Sequence, residues 1–137
     1  MPSQSPTDEV RSAFRQAADL DGSMQERLEL FADTMRRQHP DSAAIVDRFV
    51  GRLSEHDAGA AAPQPGDAMP PFALPDENGQ IVSLTDLLQS GPAIVTFHRG
   101  HWCPYCRISM STLAQAQPEI QRRGARMVAI VPETARY

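Results

Sequence analysis

Apolar positions recur at helical spacing in the first part of the chain and give way to short β-branched runs in the second. Val10, Phe14 and Ala17 fall on one face of a helix that Thr7 can cap and that ends near Asp21-Gly22. Ser23 and Glu26 form a Ser-x-x-Glu capping-box pattern. Behind it, Met24, Leu28, Phe31 and Met35 mark a second helix, which His39-Pro40 stops. A third helix is expected from Asp41 or Ser42 to about Glu55, with Ile45, Val46, Phe49, Val50 and Leu53 facing inward. These stripes are expected to bury the helices against one another and the core. The alternative is a module that docks on the rest of the chain or forms a homodimer. His39 and His56 sit at helix ends, where solvent is the expected partner.

Asp57-Ala58-Gly59-Ala60-Ala61-Ala62-Pro63-Gln64-Pro65 has nothing to bury and reads as a linker. The expected organisation is therefore a helical segment over 1–56, a linker over 57–65 and an α/β domain over 66–137. Phe72-Ala73-Leu74 and Ile81-Val82-Ser83 are strand candidates around a turn containing Asn78-Gly79. Leu84 to Gln89 reads as a short helix stopped by Ser90-Gly91-Pro92. Ala93-Ile94-Val95-Thr96-Phe97 reads as a buried strand, and Arg126 to Val131 as another. The helix between them should be broken or kinked near Pro118. Strand, helix, strand in this order implies a right-handed crossover and two parallel neighbours.

The chemistry is concentrated in Phe97-His98-Arg99-Gly100-His101-Trp102-Cys103-Pro104-Tyr105-Cys106, which holds both cysteines of the chain. The motif straddles a strand-to-helix junction, with Cys103 at or just before the helix start and Pro104 at the first helical position, where its missing N–H costs nothing. A thiolate there faces unpaired N–H groups and the positive end of the helix dipole, which lowers its pKa. Arg99 and His101 can add positive charge. A second cysteine one helical turn on is near enough to close a disulfide, so Cys-x-x-Cys before a helix is a redox signal. Trp102 and Tyr105 either pack the motif or offer a flat docking surface to a partner. Two inert thiols, or a zinc site drawn from His98, His101, Cys103 and Cys106, are the alternatives. Against the zinc site, His98 and His101 should point apart on a strand end, and the four positions are too compressed for a usual finger. Asp67 and Glu133 are expected to be solvated or capping.

Composition narrows the function classes. A net charge of −4 over 137 residues argues against nucleic-acid and anionic-membrane roles. All 13 basic residues are arginine, which is read as a coding bias. No apolar run approaches a membrane span, and the first residues do not form a signal peptide. Two cysteines in a single redox motif fit a cytoplasmic enzyme better than a disulfide-stapled secreted domain.

Gly66 to Gly79, with its Met69-Pro70-Pro71-Phe72-Ala73-Leu74-Pro75-Asp76 core, resembles the entry segment of the alkyl hydroperoxide reductase/thiol-specific antioxidant (AhpC/TSA) family, the peroxiredoxins. Thr96 to Cys106 resembles the signature of a peroxiredoxin-like branch, with His98 where that branch usually has tyrosine. Val128 to Thr134 is similar to its next strand and loop. The resemblance implies an α/β, thioredoxin-like fold, truncated here after its third main strand and preceded by helices. It also implies reduction of hydroperoxides, with electrons from thioredoxin, glutaredoxin or a glutathione-like thiol and with no cofactor or metal.

There is a departure. Family members read Pro-x-x-x-Thr-x-x-Cys around the attacking cysteine, and neither cysteine here has that proline and threonine. Cys-Pro-Tyr-Cys is instead similar to the glutaredoxin motif, so a thiol–disulfide oxidoreductase is the enzyme alternative. A truncated, inactive paralogue acting as a binding module is the non-enzyme one. Helix position and expected exposure favour Cys103 as the attacking residue, whereas alignment to the family favours Cys106. The candidate site is Cys103 and Cys106, with Arg99, His101, Trp102, Pro104 and Tyr105 around them.

Overall fold

The computed structural model describes residues 6–133. The described residues divide into two compact units, one formed by residues 6–62 with 107–112, the other by residues 63–106 with 113–133.

The first unit is helical. Helix α1 runs Pro6–Asp19, α2 Met24–Gln38 and α3 Pro40–Glu55. Thr7 lies inside α1, not at its cap, and the helix ends before Asp21. The capping box at the start of α2 is formed: Glu26 N–H donates to Ser23 Oγ, and Ser23 N–H donates to Glu26 Oε2 at 2.7 Å. His39 alone separates α2 from α3, and α3 begins on Pro40, because proline at the first helical position loses no hydrogen bond. His39 is half-buried, its Nε2 3.7 Å from Glu9 Oε2, so the expectation of a solvated ring is corrected.

Ala13, Ala17, Ala18, Phe31 and Ile108 are the buried apolar side chains of this unit. Two polar residues join them. Arg27 donates to the carbonyls of Gly22 and Ala18 and to Thr112 Oγ1, while Thr34 donates to the Leu30 carbonyl, so burial leaves hydrogen bonds in place of hydration. Arg107 stacks over the Phe14 ring, its guanidinium carbon 4.5 Å from the centroid, a cation–π contact. The inward face expected for α3 is corrected: Ile45, Val46, Phe49, Val50 and Leu53 are 42–60% exposed. Helical periodicity shows on which side the apolar residues lie but not what covers them.

In the second unit, β1 (Ala73–Pro75) pairs antiparallel with β2 (Ile81–Ser83). Asp76 builds the turn: its Oδ1 accepts from Asn78 N–H and Gln80 N–H, and Gly79 closes it at φ 79°. Helix α4 (Leu84–Gln89) is capped by Ser83 and buries Leu84 and Leu87. Strand β3 (Ala93–Phe97) runs parallel to β4 (Arg126–Ile130), Ala93 opposite Arg126 and Phe97 opposite Ile130, as the crossover order predicts.

Between β3 and β4 lies α5 (Pro104–Arg122). Of the break or kink expected near Pro118, the break does not occur; the helix continues to Arg122, four residues beyond it. It stops at a Schellman motif, with Ala125 N–H donating to the Ile120 carbonyl and Gly124 N–H to the Gln121 carbonyl, Gly124 adopting φ 75°. Strand β3 is not buried as expected: Ile94 is 37% and Phe97 68% exposed, because only β4 pairs with it among the described residues. None of the described helices is long and apolar enough to cross a membrane.

Candidate active site

Hydrogen bonding to β4 continues one residue past β3, with His98 N–H donating to the Ile130 carbonyl, and then the chain leaves the sheet. Gly100 turns it, at φ 135° and buried. Its backbone conformation calls for glycine, and a Cβ there, 2.6 Å from Glu133 Oε1 and 2.7 Å from Trp102 Nε1, would push those side chains aside. Cys103 N–H then donates to the Gly100 carbonyl, and α5 starts at Pro104.

Cys103 is the N-cap of α5, with Pro104 in the first turn, as the sequence predicts. Its sulfur does what a capping oxygen usually does, accepting from Cys106 N–H at 3.4 Å. The Arg99 guanidinium donates to Cys103 Sγ at 3.1 Å, and Arg99 N–H donates to Cys106 Sγ at 3.3 Å. One arginine therefore braces both sulfurs, through its side chain and its backbone. Both thiols are free and buried, Cys103 at 1% and Cys106 at 8% exposure. Greater exposure of Cys103, an expectation from the helix start, is thus corrected.

Burial pushes the Cys106 thiol up, but hydrogen bonds from the Cys103 thiol, from the Arg99 N–H and guanidinium and from the Gly100 backbone together outweigh it, and its pKa lies below the ordinary thiol value. A depressed pKa places more thiolate at a given pH below the midpoint. Arg99→Met is therefore expected to move the midpoint of Cys106 alkylation by iodoacetamide to higher pH. The rate at pH 7 should fall several-fold, with little change well above the midpoint. A pH–rate profile of the two proteins checks this.

The remaining candidates separate. Trp102 is 65% exposed beside Cys103, and Tyr105 is half-buried. The His101 ring is engaged by Glu133, Nδ1 to Oε1 at 2.6 Å, and His98 Nε2 lies 3.0 Å from Thr96 Oγ1. Among the described residues no cluster of three or more His, Cys, Asp or Glu side chains is placed to hold a metal ion. Glu133, expected to be solvated or capping, is the residue that sequence reasoning missed. Its carboxylate is only 16% exposed and binds a loop 32 positions earlier in the chain. The signal available was slight: one carboxylate just past the end of a strand parallel to the one that carries the motif.

No curated protein and no solved structure significantly matches the chain. The model of the AhpC/TSA family matches residues 65–136, more than half of the sequence and all of the cysteine motif. That match agrees with the strand–helix–strand order, the parallel β3–β4 pair and the cysteine at the helix start. This chain belongs to the AhpC/TSA family, within the thioredoxin superfamily.

Proposed function

We propose that the chain is a thiol-dependent peroxidase that reduces hydrogen peroxide or a small organic hydroperoxide through Cys103 and Cys106. The observation that carries this reading is the pair of nearly buried sulfurs braced by Arg99. A hydroperoxide is small enough to reach such a sulfur.

In the proposed reaction Cys106 is the nucleophile, because it is the more exposed of the two and its thiolate is favoured. The Cys106 thiolate attacks the distal peroxide oxygen, the O–O bond breaks, and the departing alkoxide takes a proton to leave as alcohol, or as water from hydrogen peroxide. Cys106 is left as a sulfenic acid. Cys103, as thiolate, attacks that sulfur; hydroxide leaves, is protonated to water, and the Cys103–Cys106 disulfide forms. Two electrons from an external thiol reductant, of the thioredoxin, glutaredoxin or glutathione-like class, restore both thiols. The Arg99 guanidinium stabilises negative charge on sulfur before the attack and can hold the departing oxygen during it.

The test is rapid mixing of the reduced protein with hydrogen peroxide, followed by the emission of Trp102, the single tryptophan, which adjoins Cys103. A rate constant orders of magnitude above that of a free thiol, with one disulfide formed per peroxide consumed, is the expected result. Free-thiol reactivity toward peroxide together with fast oxidation by glutathione disulfide would identify a thiol–disulfide oxidoreductase instead. Inertness to both would leave a binding role.

A further inference from the structure

Arg99 reaches both sulfurs from the short segment Arg99–His101. The segment lies outside β3 and α5, and Gly100 within it adopts a left-handed conformation that supplies no rigidity of its own. Besides the Cys103 N–H, which donates to the Gly100 carbonyl, a side chain from beyond β4 grips it. Glu133, in the loop after β4, accepts from His101 N–H with both carboxylate oxygens, at 3.1 and 3.0 Å, and meets His101 Nδ1 at 2.6 Å. Gly100, the residue between Arg99 and His101, approaches so closely that any Cβ would strike Glu133 Oε1. Because β3 and β4 are paired along their whole length, the strand end that carries Glu133 is fixed relative to the strand end that carries Arg99.

We propose that Glu133 is a positioning residue for the thiol pair, clamping the Gly100–His101 peptide so that the Arg99 backbone and guanidinium remain on Cys106 and Cys103. It touches neither sulfur in this role and acts through the segment it holds. The inference rests on the reading of Cys106 as the reactive thiol.

Position and charge predict opposite signs, which makes the proposal testable. A carboxylate near a developing thiolate opposes it by repulsion, so removing a purely electrostatic Glu133 would make Cys106 more acidic. Removing a clamp withdraws donors from the sulfur and makes it less acidic. The experiment is the pH–rate profile of iodoacetamide alkylation at Cys106, resolved by mass spectrometry, in Glu133→Ala, Glu133→Gln and Glu133→Asp. Glutamine keeps an acceptor at the same reach without the charge. Aspartate keeps the charge but withdraws the acceptor by one methylene.

The expected result is a midpoint moved to higher pH in the alanine and aspartate variants, with a several-fold slower reaction at pH 7, and a near-wild-type profile for glutamine. Alanine and glutamine both moving to lower pH while aspartate stays unchanged would assign Glu133 a charge effect and overturn the proposal. So would three unchanged profiles. If the alanine variant fails to fold, the glutamine–aspartate pair decides by the same criterion. Alkylation involves no peroxide, so a chain that reacts slowly with hydroperoxide fails the proposed function without altering what these profiles say of Glu133.

Discussion

Cys106→Ser is expected to abolish the fast reaction with hydrogen peroxide, lowering its rate constant on the order of a thousandfold or more, the scale on which an enzyme loses its nucleophile. Serine keeps the shape of the side chain and the donor Arg99 N–H near it, but its hydroxyl is not ionised near neutral pH and does not attack a peroxide. Cys103→Ser should behave differently. The Cys106 thiolate still attacks once, but no second thiol condenses with the sulfenic acid, so a single turnover ends in a species trapped by dimedone. Mass spectrometry distinguishes the two products. The reverse pattern, with Cys103→Ser inert and Cys106→Ser reacting once, would transfer the role of nucleophile to the helix cap.

The second large effect concerns stability. Gly91 adopts φ 129° just before β3, and a Cβ there would stand 2.3 Å from the Gly124 carbonyl oxygen. That oxygen belongs to the turn between α5 and β4, and Arg126 N–H donates to the Pro92 carbonyl beside it. The two backbones touch where the parallel pair begins, and no side-chain rotamer change relieves the clash. Gly91→Ala therefore combines an unfavourable backbone conformation with a displaced strand start. A loss of about 2–4 kcal/mol is expected, a large part of a small domain's stability.

Gly79→Ala serves as the control. Its φ of 79° is also left-handed, but nothing lies within 4 Å of the added carbon. It should cost only the conformational part, about 1–2 kcal/mol. Urea midpoints of the two variants, compared with the unsubstituted chain, separate the two contributions. Equal losses would show that the close approach to Gly124 carries no energy.

What could be read from the sequence was local. The capping box at Ser23, the turn at Asn78-Gly79, the limits of α4 and β3 and the placement of Cys103 before Pro104 all follow from residues within a few positions of one another. Each names its own conformation through a cap, a left-handed glycine or a proline. Features that depend on what lies across space were not legible. The stripe on α3 was correctly located as apolar, yet it is exposed, and β3 has the composition of a buried strand without the burial. Arg27 reads as a surface charge until the Gly22, Ala18 and Thr112 acceptors are seen around it. Glu133 is the clearest case, because its partner lies in a different element and no periodicity links them. Pro118 shows the converse: the helix continues through a residue at which the local rule expects a break or a kink.

The bracing of both sulfurs by Arg99 has a thermodynamic consequence beyond reactivity. Its N–H and guanidinium hydrogen bonds strengthen as charge develops on sulfur, so they stabilise the reduced pair. A disulfide sulfur carries no such charge and is a poor acceptor. Stabilising the reduced partner of a couple raises its reduction potential, as it does for strongly oxidising dithiol proteins. The Cys103–Cys106 disulfide should therefore lie toward the oxidising end of protein disulfides and surrender readily to an ordinary cellular thiol. If the pair works as proposed, the contacts that ready it for its oxidant also ease its return to the reduced form.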